Sequence, residues 1–198
     1  MNQTYYKITN KEECHHDYQY VDGLNVLDKP FEATGSCVEG GLYFTTIEHI
    51  FKFLHYGCYL REITLPQDCQ WVQDGNKFRA DKIILGKRYD LTDPLTFQLL
   101  VERGANIHED HRALSHASKN GYLEVVKYLV EKGANIHAQH NYALDCASKN
   151  GHLDIVKYLV EAGADICEYT NYALYLASTN GHLEIVKYLR SCEQLEKN

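Results

Sequence analysis

ALDCASKNGHLDIVKYLVEAGADIC, from Ala143 to Cys167, decides the fold because it is written again on either side. ALSHASKNGYLEVVKYLVEKGANIH begins at Ala113 and ALYLASTNGHLEIVKYLR at Ala173, so Asn-Gly recurs at 120–121, 150–151 and 180–181, a period of 30 residues. Repetition at this length marks an array in which each unit has an apolar face that only a stacked neighbour can cover. In the middle unit a first helix over about 142–149 ends at Asn150-Gly151, two residues that accept the left-handed conformation closing a helix. A second helix over about 152–161 carries Leu153, Ile155, Val156, Leu159 and Val160 as an apolar stripe, with Asp154, Lys157 and Glu161 facing water. Ala143, Leu144 and Ala147 make a small-residue face on the first helix that lets neighbouring units approach closely. An incomplete copy, LLVERGANIH, ends at His108. The array is therefore expected over 91–198, as a partial cap repeat at 91–108 followed by about three repeats, and residues 1–90 form a separate module.

The recurring word N-G-H-L-x-I-V-K-Y-L-V-E-x-G-A-x-I resembles the ankyrin repeat, over about 100 of the 198 residues. Ankyrin units are usually about 33 residues long and open their first helix with T-P-L-H. Here the corresponding words are Arg112-Ala113-Leu114-Ser115, Tyr142-Ala143-Leu144-Asp145 and Tyr172-Ala173-Leu174-Tyr175, and the segment before each is shorter. The resemblance thus implies an all-α solenoid whose hairpin fingers are stunted or replaced by tight loops. Short, tyrosine-rich units of this kind are similar to those of ankyrin proteins encoded by giant amoeba-infecting DNA viruses.

The resemblance also implies a protein-binding concave side lined by the first helices, where the scaffold demands no particular residue. Those positions are His111, Arg112, Ser115, His116 and Lys119, then His140, Tyr142, Asp145, Cys146 and Lys149, then Tyr169, Tyr172, Tyr175, Leu176 and Thr179. Tyr, Arg and His suit protein hot spots because they combine large contact area with a polar tip. The alternative for Tyr142 and Tyr172 is that they fill the space left by the missing T-P-L-H network. Tyr128, Tyr158 and Tyr188 also recur every 30 residues, but ankyrin units usually carry Leu there, which reads as packing between second helices. The implied partner is a protein, of the host if the source is viral.

The formal charge is −7, with three net negative charges in residues 1–90 and four in 91–198. Neither part has the basic footprint of a nucleic-acid or anionic-membrane binder. The opening MNQTYYKITNKEECHH has no charged-then-apolar leader pattern, and no apolar run approaches a membrane span. Seven cysteines in no framework read as reduced thiols, so a cytoplasmic protein is expected. No cofactor is implied, and a monomer is the expected state.

The first ninety residues read as a small mixed module, which makes the whole chain α+β. Strands are expected at Thr4–Thr9, Tyr18–Val21, Leu42–Phe44, Cys58–Leu65, Gln70–Val72 and Lys77–Leu85, with one helix over Ile47–Tyr56. A further helix near Leu95–Glu102 is expected to pack on this module and cap the stack as one rigid body. Cys14, His15, His16, Cys37, His55, Cys58 and Cys69 contain zinc-ligand types, yet no C-x-x-C knuckle, and Cys58 should alternate into a strand core. The glycine-rich GSCVEGG at 35–41 is neither a P-loop nor a dinucleotide fingerprint. An enzyme reading would place a site around Glu39, Arg61 or Glu62 and make the repeats a substrate recruiter; Arg61-Glu62 reads equally well as a solvent-facing pair on a strand. The main reading is a non-enzymatic interaction protein or adaptor with no catalytic and no metal-binding residues.

Overall fold

A computed structural model describes residues 4–15, 17–35, 40–108, 111–166 and 172–196. The chain divides into two compact units, Met1–Ala105 and Asn106–Asn198.

The first unit is built on an antiparallel sheet. Its strands are β1 (Tyr5–Thr9), β4 (Gly23–Val26), β5 (Leu42–Thr45), β6 (Tyr59–Thr64), β7 (Trp71–Asp74), β8 (Lys77–Ala80) and β9 (Lys82–Asp90), in the order β4-β9-β6-β1-β5-β8-β7. A two-stranded ribbon pairs β2 (Cys14–His15) with β3 (Tyr18–Gln19). Alternation gives the sheet two apolar faces. Tyr20, Leu42, Phe44, Ile63, Ala80, Ile83 and Leu85 form one buried cluster. On the other side a 3-10 helix, Ile47–Tyr56, packs on β1 and buries Ile50, Phe51 and Leu54.

The stretch expected as one strand over Lys77–Leu85 is two. The Asp81 amide donates to the Gln70 carbonyl, its carboxylate accepts from the Gln70 amide, and its carbonyl accepts from Leu27. Those bonds turn the chain, so that β8 pairs with β5 and β7 whereas β9 crosses to pair with β4 and β6. Strand β4 has Leu24 and Val26 exposed, and its pairing with β9 lies outside what local alternation shows.

The helix expected near Leu95–Glu102 is α1 (Pro94–Glu102), and it lies within the first unit, so the compact unit extends past residue 90 to Ala105. The Asp93 carboxylate caps it by accepting from the Leu95 amide at 2.9 Å, and Pro94 occupies its first turn. Phe97 is fully buried and stacks on Phe51 with 6.2 Å between ring centroids. Arg103, just past the helix, bonds Glu62 and the Tyr6 hydroxyl. Burying a side chain the size of Phe97 contributes about 2–3 kcal/mol, enough to hold a nine-residue helix that would not persist alone.

Every element of regular secondary structure described in the second unit is a helix. Three helix pairs follow in order: α2 (Arg112–Asn120) with α3 (Leu123–Glu131), α4 (Ala138–Asn150) with α5 (Leu153–Glu161), and α6 (Tyr172–Thr179) with α7 (Leu183–Glu196). First helices α2, α4 and α6 pack in succession, and second helices α3, α5 and α7 form a parallel row. The apolar stripes are buried as the periodicity requires: Val125, Val126 and Leu129, then Ile155, Val156 and Leu159, with Ile185 and Leu189 closing the series. Tyr128, Tyr158 and Tyr188 are half-buried in the second-helix row, and the Lys157 ammonium sits over the Tyr188 ring of the next unit.

Successive units are also joined by the histidine of the Asn-Gly-His word. His152 Nε2 lies 3.0 Å from the Lys119 carbonyl, and His182 Nε2 lies 3.0 Å from the Lys149 carbonyl. A carbonyl only accepts, so each Nε2 carries its proton. The imidazole thereby satisfies a carbonyl that the end of the preceding first helix leaves open. Both rings lie over the glycines that close those helices, Gly121 at φ +79° and Gly151 at φ +82°.

Candidate protein-binding face

Each first helix begins where an ankyrin finger would end. Before the second of them, Gln139, His140 and Asn141 take φ values of 52°, 58° and 60°, three consecutive left-handed residues at the start of α4. This tight turn is what the shortened segment uses in place of a finger. Asn141 fixes it from inside, since its buried Oδ1 lies 3.2 Å from His137 Nδ1 and 3.3 Å from the Asp165 amide of the following loop. Left-handed backbone costs about 1 kcal/mol or more per non-glycine residue, so packing around Asn141 must compensate it.

The turn sets the register of α4 and so decides which first-helix residues face outward. Arg112, Lys119, Tyr142, Lys149, Tyr172, Tyr175 and Thr179 are exposed. His111, His116, Asp145 and Leu176 are half-buried. Ser115 and Cys146 are a correction, because both are buried in the stack and present nothing to a partner. The Ser115 hydroxyl donates back to the His111 carbonyl one turn earlier, and Cys146 accepts the Asn150 side-chain amide through its carbonyl while its thiol lies against Tyr142. Tyr169 lies outside the described residues.

What remains is an aromatic strip with a carboxylate beside it. Tyr142, Tyr172 and Tyr175 are each about half exposed or more, at 48%, 51% and 58%. Tyr172 and Tyr175 stack at 5.9 Å between centroids, and the His111 ring meets Tyr142 edge-on at 6.5 Å. Between α4 and α6 a cavity of about 340 Å³ is lined by His140, Asn141, Leu144, Asp145, Tyr172 and Ala173, among others. Burial raises the Asp145 carboxyl pKa from 3.8 to about 6. The sequence singles out Asp145 but not Asn141, whose signal is an Asn in the first turn of α4, a residue type that tolerates left-handed backbone.

In the first unit the zinc-type residues are dispersed. Cys14 and His15 sit on β2, His15 meeting the Tyr56 ring edge-on, while Cys69 lies in the turn after Pro66. Cys58 is only half-buried and stands just before β6, not in the sheet core. Among the described residues no three His, Cys, Asp or Glu side chains gather as a metal site. His16, Cys37 and Glu39 lie outside the described residues.

Arg61 and Glu62 are not a solvent-facing pair. They alternate to opposite faces of β6: Arg61 is buried, paired with Glu13 at 3.1 Å and with Asp22, while Glu62 accepts from the Tyr89 hydroxyl at 2.7 Å and from Arg103. Both are engaged as structural ion pairs on either side of the sheet. No helix among the described residues is long and apolar enough to cross a membrane.

Comparison with protein families identifies the array. The family described as "Ankyrin repeats (3 copies)" matches residues 89–170 and again 140–198. The chain is 49% identical over 132 residues to "Putative ankyrin repeat protein R868" of Acanthamoeba polyphaga mimivirus, a match covering 63% of this chain and 65% of that one. It is 43% identical over 129 residues to "Uncharacterized protein R869" of the same virus, covering 62% of this chain and 94% of the relative. A third mimivirus protein, "Putative ankyrin repeat protein R229", is 43% identical over 129 residues, of which 60% of this chain and 42% of the relative are covered. The chain therefore spans less than two thirds of the length of the first and third of these relatives. With its helix pairs stacked in register and more than half of its length matched, the chain belongs to the ankyrin-repeat family.

Proposed function

We propose that the chain is an interaction module or adaptor that holds a protein partner on the face formed by its first helices, with no chemistry performed by the repeats. The observation that carries this reading is the strip of Tyr142, Tyr172 and Tyr175, large side chains left about half exposed on the first helices. Large exposed aromatics that keep a hydroxyl in water contribute contact area at low entropic cost when a partner covers them. Asp145 sharpens the chemistry of that partner. A half-buried carboxylate beside stacked tyrosines suits an arginine or lysine side chain, which gains a charge partner and an aromatic flank together. The mimivirus relatives make a host-cell protein the natural candidate, in the cytoplasm of an infected amoeba. Two smaller facts fit the face: Lys119 and Lys149 stand exposed at the ends of α2 and α4 and extend the contact strip along the stack.

The test is capture from amoeba lysate followed by mass spectrometry, comparing the native chain with Tyr142→Ala/Tyr172→Ala/Tyr175→Ala. The triple variant should lose a specific protein that a second-helix variant, Glu124→Ala/Lys187→Ala, retains, with helical circular dichroism unchanged in both. Equal capture by all three proteins would remove the proposed face.

A further inference from the structure

The seven-stranded sheet has a seam. Strand β1 is paired with β6 along all five of its residues, and β5 with β8 along all four, but β1 and β5 meet at one position, Tyr6 with Thr45. Away from that pair the two strands part. A cavity of about 100 Å³ opens there, lined by Lys7, Tyr43, Phe44, Phe53, Tyr56 and Lys77 among others.

Lys7 is the unusual member. It is 5% exposed, and its Nζ reaches across the seam to donate to the Tyr43 carbonyl at 3.0 Å while lying 4.4 Å from the centre of the Tyr20 ring. Among the described residues no carboxylate hydrogen-bonds it. Its cross-strand neighbour on β6 is Arg61, and Glu13, the acid whose charge acts on it, is already held by that guanidinium at 3.1 Å. Among the described residues, His15 on β2 and Lys77 on β8 are the other titratable groups lining the cavity with Tyr6, Tyr43 and Tyr56. A buried lysine in a salt bridge is explained by its partner, but one held by a carbonyl and a ring has the character of an amine set aside from the charged surface.

We propose that Lys7 is a nucleophilic amine that condenses reversibly with a small aldehyde or keto acid admitted to this cavity. The Nζ lone pair attacks the carbonyl carbon and a C–N bond forms. The two amine hydrogens leave with the carbonyl oxygen as water, so the products are an imine and one water with no oxidant or reductant required. The cavity's size restricts the partner to a few heavy atoms, since an apolar cavity of about 150 Å³ is needed to enclose a benzene ring. The protonation state agrees with this geometry: burial lowers the Lys7 pKa from 10.5 to about 7, against the smaller opposing effect of the Glu13 charge. About half of the amine is then free at neutral pH, against roughly one part in a thousand or less for an ordinary lysine.

The experiment uses the full chain, glyoxylate as probe and cyanoborohydride to reduce any imine to a stable secondary amine, with the modified lysines located by peptide mass spectrometry. At pH 7 Lys7 should be labelled at least about tenfold faster than the surface residues Lys127 and Lys187, and its rate should rise with an inflection near pH 7. Lys7→Met keeps the buried stem and should abolish only that label. Phe53→Trp, which narrows the cavity and leaves the amine in place, should slow labelling of Lys7 alone, and it serves if Lys7→Met does not fold. Labelling of Lys7 no faster than of Lys127 in the folded protein, or only in denaturant, overturns the proposal.

Discussion

Gly151 and Gly181 provide a matched pair for measuring how much the Asn-Gly-His bridge contributes to the stack. Both glycines end a first helix in left-handed backbone, at φ +82° and +77°. Alanine at either position costs about 1 kcal/mol, the left-handed penalty partly offset by a less flexible unfolded chain. They differ in what a Cβ would meet. At Gly181 nothing lies within 4 Å, whereas at Gly151 the new atom would stand 2.7 Å from His182 Cε1. The imidazole is the movable partner, so it swings away and surrenders its bond to the Lys149 carbonyl, a further loss of about 1 kcal/mol. Gly151→Ala should therefore destabilise by about 2 kcal/mol and Gly181→Ala by about 1. With His182→Ala as background the two glycine substitutions should converge, leaving a coupling of about 1 kcal/mol between Gly151 and His182. Urea unfolding followed by far-UV circular dichroism supplies the six stabilities. Equal losses for the two glycine variants, or strict additivity of Gly151→Ala with His182→Ala, would refute the assignment of the histidine as an inter-repeat clamp.

Two further substitutions test the face itself. Asp145 has a folded pKa near 6 against an ordinary value of 3.8, so the folded state binds the extra proton between about pH 4 and 6 and stability falls as pH rises through that window. Asp145→Asn should consequently stabilise the chain at pH 7.5 by about 1 kcal/mol, a figure reduced for the solvent that still reaches the group, and make no difference at pH 4; thermal melts at the two pH values decide it. His140→Gly removes a side chain from the middle of the left-handed turn and should raise stability by about 0.5–1 kcal/mol in the same urea assay, where a loss would show that the histidine's contacts outweigh the backbone strain.

The repeat array was legible because its determinants are local. A stripe at helical spacing and a glycine that ends each first helix are visible within one unit, the 30-residue period copies them along the chain, and the structure repeats them helix for helix. The first unit was legible in part. Strands β1, β5 and β6 and the helical stretch over 47–56 follow alternation or apolar period and stand where the pattern puts them. The split at Asp81 did not show, because the bonds that turn the chain there come from Gln70 and Leu27, more than ten residues and more than fifty residues away. Arg61 and Glu62 look alike beside each other on a strand, and what separates their environments is which layer covers each face of the sheet.

The 30-residue period determined the helix pairs, and the word it repeats carried the resemblance to the ankyrin family. Tertiary structure decided the rest. Stacking of α2 against α4 and of α4 against α6 buried Ser115 and Cys146 and left Tyr142, Tyr172 and Tyr175 outside, since a helical wheel gives the face of one helix but not how much of it a neighbour covers. The parting of β1 from β5 likewise turned Lys7, an unremarkable residue in YYKIT, into a buried amine at a cavity. Local patterns specify which atoms seek burial, while the pairing of distant segments specifies which polar groups are carried in with them.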